Sequence, residues 1–276
     1  MTHFQLSAKL NHIQSRYTYN AQAFDELDGE SAYWLGFIYA DGNMYNNRLT
    51  ICLQARDRYV LEHFRSFMQA DISLHYRPRT NAYAVSIGNP YLAARLKMLG
   101  VVPRKARKIR YPEVISELGL DGAFIRGYFD GDGWIAIGKR STLRLGFASN
   151  RDFLDGITTV IEGKLAIVKP TFFANKRKHR NGYYGSINYS GREDIKKIVD
   201  FMCSDMGFFM ERKLGKFYKL YMQLENKKGR LTGKERNGRL YKKFYLPEAH
   251  QQAYSQLLLL SRVHEPLPPF PFQSGH

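Results

Sequence analysis

Residues 33–42 read Tyr-Trp-Leu-Gly-Phe-Ile-Tyr-Ala-Asp-Gly, and residues 124–133 read Phe-Ile-Arg-Gly-Tyr-Phe-Asp-Gly-Asp-Gly. Each is an apolar, helix-compatible run with a glycine inside it and Asp-Gly at its end. The closing aspartates, Asp41 and Asp132, stand 132 − 41 = 91 residues apart. A unit that recurs at that distance predicts two similar halves in one chain. Two matched carboxylates on two matched helices can meet at a pseudo-two-fold axis, the arrangement a nearly symmetric, two-stranded substrate would require.

Working outward, both halves show the same order of elements. In the first, a helix over 31–41 is followed by a weak strand at Asn43–Tyr45 and a β-like run from Arg48 to Ala55. Asp57 stands as the cap of a helical pattern in which Tyr59, Val60, His63, Phe64 and Phe67 fall at three- and four-residue spacings. A hairpin over Ile72–Arg77 and Ala82–Ile87 turns at 78–81, and Asn89-Pro90 opens a helix closed by Gly100. In the second half a helix over 121–131 precedes strands at 134–137 and 143–148. Asn150 then caps a helix to about Gly163, strands follow near 170–174 and 183–189, and a helix covers 192–203. Each half therefore reads α-β-β-α-β-β-α. The predicted organisation is a polar extension over 1–30, repeats over 31–118 and 119–225, and a basic arm and tail over 226–276. Within 226–249, eight Lys/Arg face two Glu, with glycines at 229, 233 and 238. A helical patch follows at 253–260, then a proline-rich end.

The 276 residues carry a formal net charge of +17 and are 44% hydrophobic, which excludes wholesale disorder and favours a polyanionic partner. No apolar run reaches the roughly 18 residues of a membrane-spanning helix, and the opening Met-Thr-His-Phe-Gln-Leu-Ser-Ala-Lys is not a signal peptide. No membrane partner is expected, and an intracellular setting follows: the cytoplasm of a bacterium or phage-infected cell, or an organelle. Cys52 and Cys203 fit two buried thiols in a reducing compartment better than a disulfide or a zinc site.

Small residues recur four apart on each motif helix: Gly36 and Ala40, then Gly127 and Gly131. That spacing places them on one face and lets two backbones approach closely. If the helices cross there, Asp41 and Asp132 emerge side by side at helix C-termini, which already carry partial negative charge. Two such carboxylates share a proton or bind a cation. A hard divalent ion such as Mg²⁺ suits them, because it takes few protein ligands and fills the rest from water and phosphate. The chemistry implied is metal-assisted phosphodiester hydrolysis. Asp130 is the weaker candidate. It lies roughly 200° around the helix from Asp132, and its counterpart in the first half is Tyr39.

The paired segments 34–42 and 125–133 resemble the two motifs of a monomeric LAGLIDADG homing endonuclease. Leu99-Gly-Val-Val-Pro-Arg-Lys-Ala-Arg-Lys-Ile-Arg-Tyr-Pro112 is similar to the basic link closing that family's first repeat, and Met210-Glu-Arg-Lys213 with Phe217 and Tyr218 to the close of its second. The likeness spans about residues 31–225. Tyr39 in place of an acidic residue, Trp34 and Arg126 depart from the pattern. The resemblance implies an α+β fold, a pseudo-two-fold duplicated αββαββα arrangement whose two antiparallel sheets form a DNA-binding saddle. It implies that Asp41 and Asp132 bind metal (two or three divalent ions, Mg²⁺), with the carbonyls of Ala40 and Gly131 assisting. It also implies a lysine near each centre, by position Lys105 and Lys213.

On such a saddle, side chains two apart share a face. The DNA-facing candidates are Arg48, Gln54, Arg56, Arg77, Arg79, Lys139, Arg140, Arg144 and the cluster Lys176, Arg177, Lys178 and Arg180. Arginine suits guanine edges and glutamine suits adenine, while other contacts serve phosphate. Two sheets of ten-residue strands end to end cover about 65 Å, or roughly 20 base pairs. The expected protein is a monomeric, site-specific, Mg²⁺-dependent double-strand DNA endonuclease with a long pseudo-palindromic target. The alternatives are a non-cutting DNA-binding regulator and an intron RNA maturase on the same scaffold. Neither end of the chain resembles an intein splice junction.

Overall fold

The computed structural model describes residues 17–103, 105, 108–137, 143–175, 183–205, 207–213 and 215–216. All lie in the first, Met1–Lys228, of the two units into which the chain divides. The DNA-facing candidates Lys139, Arg140, Lys176, Arg177, Lys178 and Arg180 and the 226–276 arm lie outside the described residues.

Helix α1 (Gly29–Asp41) starts on a reciprocal cap: Ser31 N–H donates to Asp28 Oδ1 at 2.8 Å, and Asp28 N–H donates to Ser31 Oγ at 2.7 Å. Every residue from Ser31 to Ala40 is buried, which is why the sequence is apolar all round rather than amphipathic. The helix turns straight into β1 (Gly42–Tyr45), which pairs antiparallel with β2 (Arg48–Gln54). Helix α2 (Arg58–Phe67) follows, burying Val60, Leu61 and Phe64. Strands β3 (His75–Arg77) and β4 (Ala82–Gly88) and helix α3 (Pro90–Met98) complete the half. A short helix, α4 (Glu113–Glu117), links to the second half. This comprises α5 (Asp121–Asp132), β5 (Gly133–Ile137), β6 (Leu143–Asn150), α6 (Arg151–Leu165), β7 (Phe172–Ala174), β8 (Tyr184–Tyr189) and α7 (Arg192–Met202).

The two sheets have the same topology, β1-β2-β4-β3 and β5-β6-β8-β7, all pairs antiparallel. The fold is α+β, built of a repeated unit. Along β2, Leu49, Ile51 and Leu53 enter the core, while Arg48, Thr50, Cys52 and Gln54 take the other face. The helices cover the core faces. Residues 17–28 pack onto the first half rather than trailing from it: Phe24 is buried, and Arg95 donates to the carbonyls of Phe24 and Asp25 at 2.9 Å.

The two halves meet through α1 and α5. A Cβ on Gly36 would lie 2.0 Å from the Phe124 carbonyl oxygen, and one on Gly127 would lie 1.9 Å from that of Tyr33. Both distances are far inside van der Waals contact, so only glycine permits this crossing. The contacts are related by the repeat itself, since 36 and 127, like 33 and 124, differ by 91. Further along, Gly131 sits on Ala40, where a Cβ would come within 2.2 Å of Ala40 Cβ.

Several local expectations shift. The strand expected from Ile72 begins only at His75. Asp57 does occupy the residue before α2, yet its side chain makes no cap hydrogen bond. Both cysteines are free; Cys203 is buried, but Cys52 is half-buried on the open face. Arg126 is fully buried inside α5, donating to the Met202 carbonyl at 2.7 Å and paired with Asp205.

Candidate active site at the ends of the paired helices

Asp41 and Asp132 are the last residues of α1 and α5, each half-buried. The Gly131–Ala40 contact draws the helix ends together, and the Cβ position of Gly131 is only 3.3 Å from Asp41 Oδ2. Burial raises both carboxyl groups above the usual range. Asp132 is pushed up to about 6, first by burial and then by the negative charge of Asp41, against the pull of Lys105 and Lys213. Asp41 is raised by burial, with Lys105, Lys213 and Arg212 opposing.

Each helix end is clasped by one lysine in the same way. Lys105 Nζ donates to the carbonyls of Ile38 at 2.7 Å and Ala40 at 2.6 Å. Lys213 Nζ donates to the carbonyls of Phe129, Gly131 at 3.2 Å and Gly133 at 2.8 Å. Ile38 and Ala40 correspond to Phe129 and Gly131 across the repeat. The ammonium groups thus complement the free carbonyls and partial negative charge of two helix C-termini. Burial lowers both lysines to about 8, although Asp132 and Asp41 pull Lys105 up and Asp130, Asp41 and Asp132 pull Lys213 up.

The donor set suits a hard divalent cation: two carboxylates and two carbonyls, all oxygen. Among the described residues, no group of three or more His, Cys, Asp or Glu is placed to hold a metal. Water and phosphate would therefore supply the remaining positions. The carbonyls of Ala40 and Gly131 already accept a lysine hydrogen bond, which leaves one lone pair on each.

Asp130 is turned away from this centre. It is fully buried, and its Oδ2 accepts from Tyr33 OH at 2.9 Å and Met210 N at 2.7 Å. Its first-half counterpart, Tyr39, donates to the Leu99 carbonyl at 2.6 Å. Both therefore hold the chain that leads to a lysine.

Arg48, Gln54 and Arg77 are exposed on the open face of the first sheet, with Arg56 and Arg79 exposed in the turns beside it. His75, Thr50 and Ser86 share that face, Thr50 and Ser86 joined at 2.7 Å. Arg144 is exposed on the second sheet, where Trp134, Asn188, Ser186 and Phe173 share its face. None of these neighbours is a lysine or arginine, so composition did not single them out; strand alternation is the signal that finds them. Sequence reasoning also missed Arg212, whose Nε lies 3.1 Å from Asp57 Oδ2.

This architecture is that of the LAGLIDADG meganucleases. The structure of the meganuclease I-AabMI bound to uncleaved DNA superposes with a TM-score of 0.51 at 12% identity, covering 73% of this chain and 92% of that one. The homing endonuclease I-GzeII in complex with its DNA target gives 0.52 at 9% identity, over 83% and 97%. Residues 120–202, in the second half of the chain, match the model of the LAGLIDADG-like domain. Two curated proteins of Methanocaldococcus jannaschii share a stretch with the chain. A probable translation initiation factor IF-2 is 22% identical over 191 residues, 65% of this chain. A replication factor C small subunit is 26% identical over 207 residues, 71% of this chain. The aligned stretch is only 16% of the first relative and 10% of the second.

Proposed function

We propose that this protein is a site-specific, divalent-metal-dependent endonuclease that cuts both strands of a long DNA target; the strands that would span it, at most eight residues among the described ones, are shorter than the ten expected from sequence. The observation that carries this reading is the meeting of Asp41 and Asp132 at the symmetric ends of two glycine-packed helices. One carboxylate from each half matches one scissile phosphate on each strand. Bound Mg²⁺ would supply an activated water and stabilise the leaving oxygen. Asp41 and Asp132 would be its side-chain ligands, with the carbonyls of Ala40 and Gly131 as further oxygen donors. Lys105 and Lys213 offset the carboxylates' charge. With affinities for protons near neutrality, their Nζ atoms can hold or give up a proton beside the phosphate.

The open sheet faces, with Arg48, Gln54, Arg56, Arg77, Arg79 and Arg144, serve as the duplex-binding surface, joined by Lys139, Arg140 and the 176–180 cluster. Residues 31–118 and 119–225 act as the two half-site readers, in a monomer. That a translation factor and a replication factor both contain a related stretch agrees with a mobile element and homing. The test is cleavage of a randomised duplex library with Mg²⁺ by the wild type and by Asp41→Asn and Asp132→Asn. A discrete long site cut by the wild type alone is expected. Tight, specific binding without cutting would make the protein a regulator instead.

A further inference from the structure

The segment that carries each lysine of the candidate centre is tied to the opposite half as well as to its own. Lys213 follows α7 and clasps carbonyls of its own half, but its flank reaches across. Arg212 Nε pairs with Asp57, 3.2 Å from Oδ1 and 3.1 Å from Oδ2, and Glu211 N–H donates to Tyr59 OH at 2.6 Å. Lys105 follows α3 and clasps carbonyls of the first half. Four residues on, the Ile109 carbonyl accepts a hydrogen bond from Asn150 Nδ2 at 3.1 Å. Asp57 and Asn150 hold the same place in the two halves, the residue immediately before α2 and before α6.

Helix capping does not account for either contact. Asn150 caps with its Oδ1, which accepts from Phe153 N–H at 2.9 Å, and this leaves Nδ2 for Ile109. Asp57 leaves the α2 amides uncapped and gives its carboxylate, 7% exposed, to an Arg212 that is 40% exposed. A carboxylate at an N-terminal cap position ordinarily takes the helix amides. Its turn toward Arg212 ties the Lys213 segment to the first half.

We infer that Asp57 and Asn150 are positioning residues, each setting the lysine of the opposite half, so that neither half completes a reaction centre alone. The inference rests on the endonuclease reading for its catalytic consequence, though not for the lysine geometry. Asn150→Asp keeps the cap oxygen and removes the donor to Ile109. Asp57→Asn keeps the shape and removes the charge, and it leaves behind an arginine exposed enough to stay solvated.

Two measurements on the full-length protein decide it. The first is the rate at which an amine-reactive ester acetylates each lysine in the folded protein, read by peptide mass spectrometry. Asp57→Asn is expected to raise Lys213 reactivity on the order of tenfold and leave Lys105 unchanged, with Asn150→Asp doing the reverse. The second is cleavage of a duplex labelled separately on each strand. The two variants are expected to slow opposite strands by about 10- to 100-fold at unchanged DNA affinity. The charge-swapped pair Asp57→Arg with Arg212→Asp should restore Lys213 to wild-type reactivity. Lysines that change together or not at all, strands slowed alike, or a swap that rescues nothing would overturn the proposal. If the wild type cuts neither strand, the endonuclease reading falls, while lysine reactivity still decides the positioning claim.

Discussion

At the level of single residues, burial sets the chemistry of the paired carboxylates, with the like charge alongside adding to it at Asp132. Asp132 titrates near 6 because it is buried beside Asp41. Below that pH a proton competes with a cation for it, so the Mg²⁺ concentration needed for cleavage should rise as the pH drops through about 6. Asp41→Asn removes the neighbouring negative charge, which makes Asp132 easier to ionise, so its carboxyl resonance should titrate at lower pH by NMR. An unmoved midpoint would show that the two groups do not sense each other. Asp41→Asn and Asp132→Asn should each lower the cleavage rate by about a thousandfold or more, the effect of losing several kcal/mol of metal stabilisation, with target binding retained.

Asp130 presents the opposite linkage to an ordinary paired carboxylate. It is raised to about 6 by burial, against Lys213 and the hydrogen bonds from Met210 and Tyr33. The folded state therefore binds this proton more tightly than the unfolded state does. Its favourable share of stability is full below the unfolded value of 3.8 and is lost as the pH rises through about 6. Asp130→Asn should flatten the stability profile between these limits, measured as urea midpoints across pH. A profile as steep as the wild type's would assign the proton uptake to another group.

At the level of elements, the α1–α5 crossing is the most demanding part of the fold. Gly36→Ala places a methyl group about 2.0 Å from the Phe124 carbonyl, where backbone rather than a flexible side chain must move. A loss of about 3 kcal/mol is expected by chemical denaturation, at the upper end of overpacking costs. Gly163→Ala is the matched control: it lies within α6 with nothing within 4 Å of its Cβ position, and should gain up to about 1 kcal/mol from helix propensity. Equal effects would mean that the crossing is not tightly packed. Helix α1 is unbroken in its apolar pattern, and its place at the centre was legible for that reason. The start of β3 was not, because the apolar residues Ile72 and Leu74 suggested a strand where backbone pairing begins only at His75.

At the level of the whole molecule, the +17 charge makes association with a polyanion strongly salt-dependent. Arg48→Ala and Arg77→Ala should each weaken binding to all duplexes alike if they hold phosphate, reducing the log-affinity against log-salt slope by about 1. If Gln54 reads a base edge, Gln54→Ala should instead relax preference at one position of the target and leave the slope unchanged. Binding titrations over a range of salt, with the target and a scrambled duplex, separate the two roles.

The repeat, the order of elements, the glycine-lined crossing and the pair Asp41 and Asp132 were determined by the sequence by itself, because period and spacing are local properties that recur at 91 residues. The partners of Lys105 and Lys213 were decided only by the tertiary structure. A lysine among basic neighbours looks like any phosphate contact until the helix end whose carbonyls it meets is folded beside it. The same holds for Asp57, which reads as a helix cap in sequence. Its carboxylate turns instead to Arg212, 155 residues away, because a guanidinium brought alongside by the second half competes better for a buried charge than neutral backbone amides do.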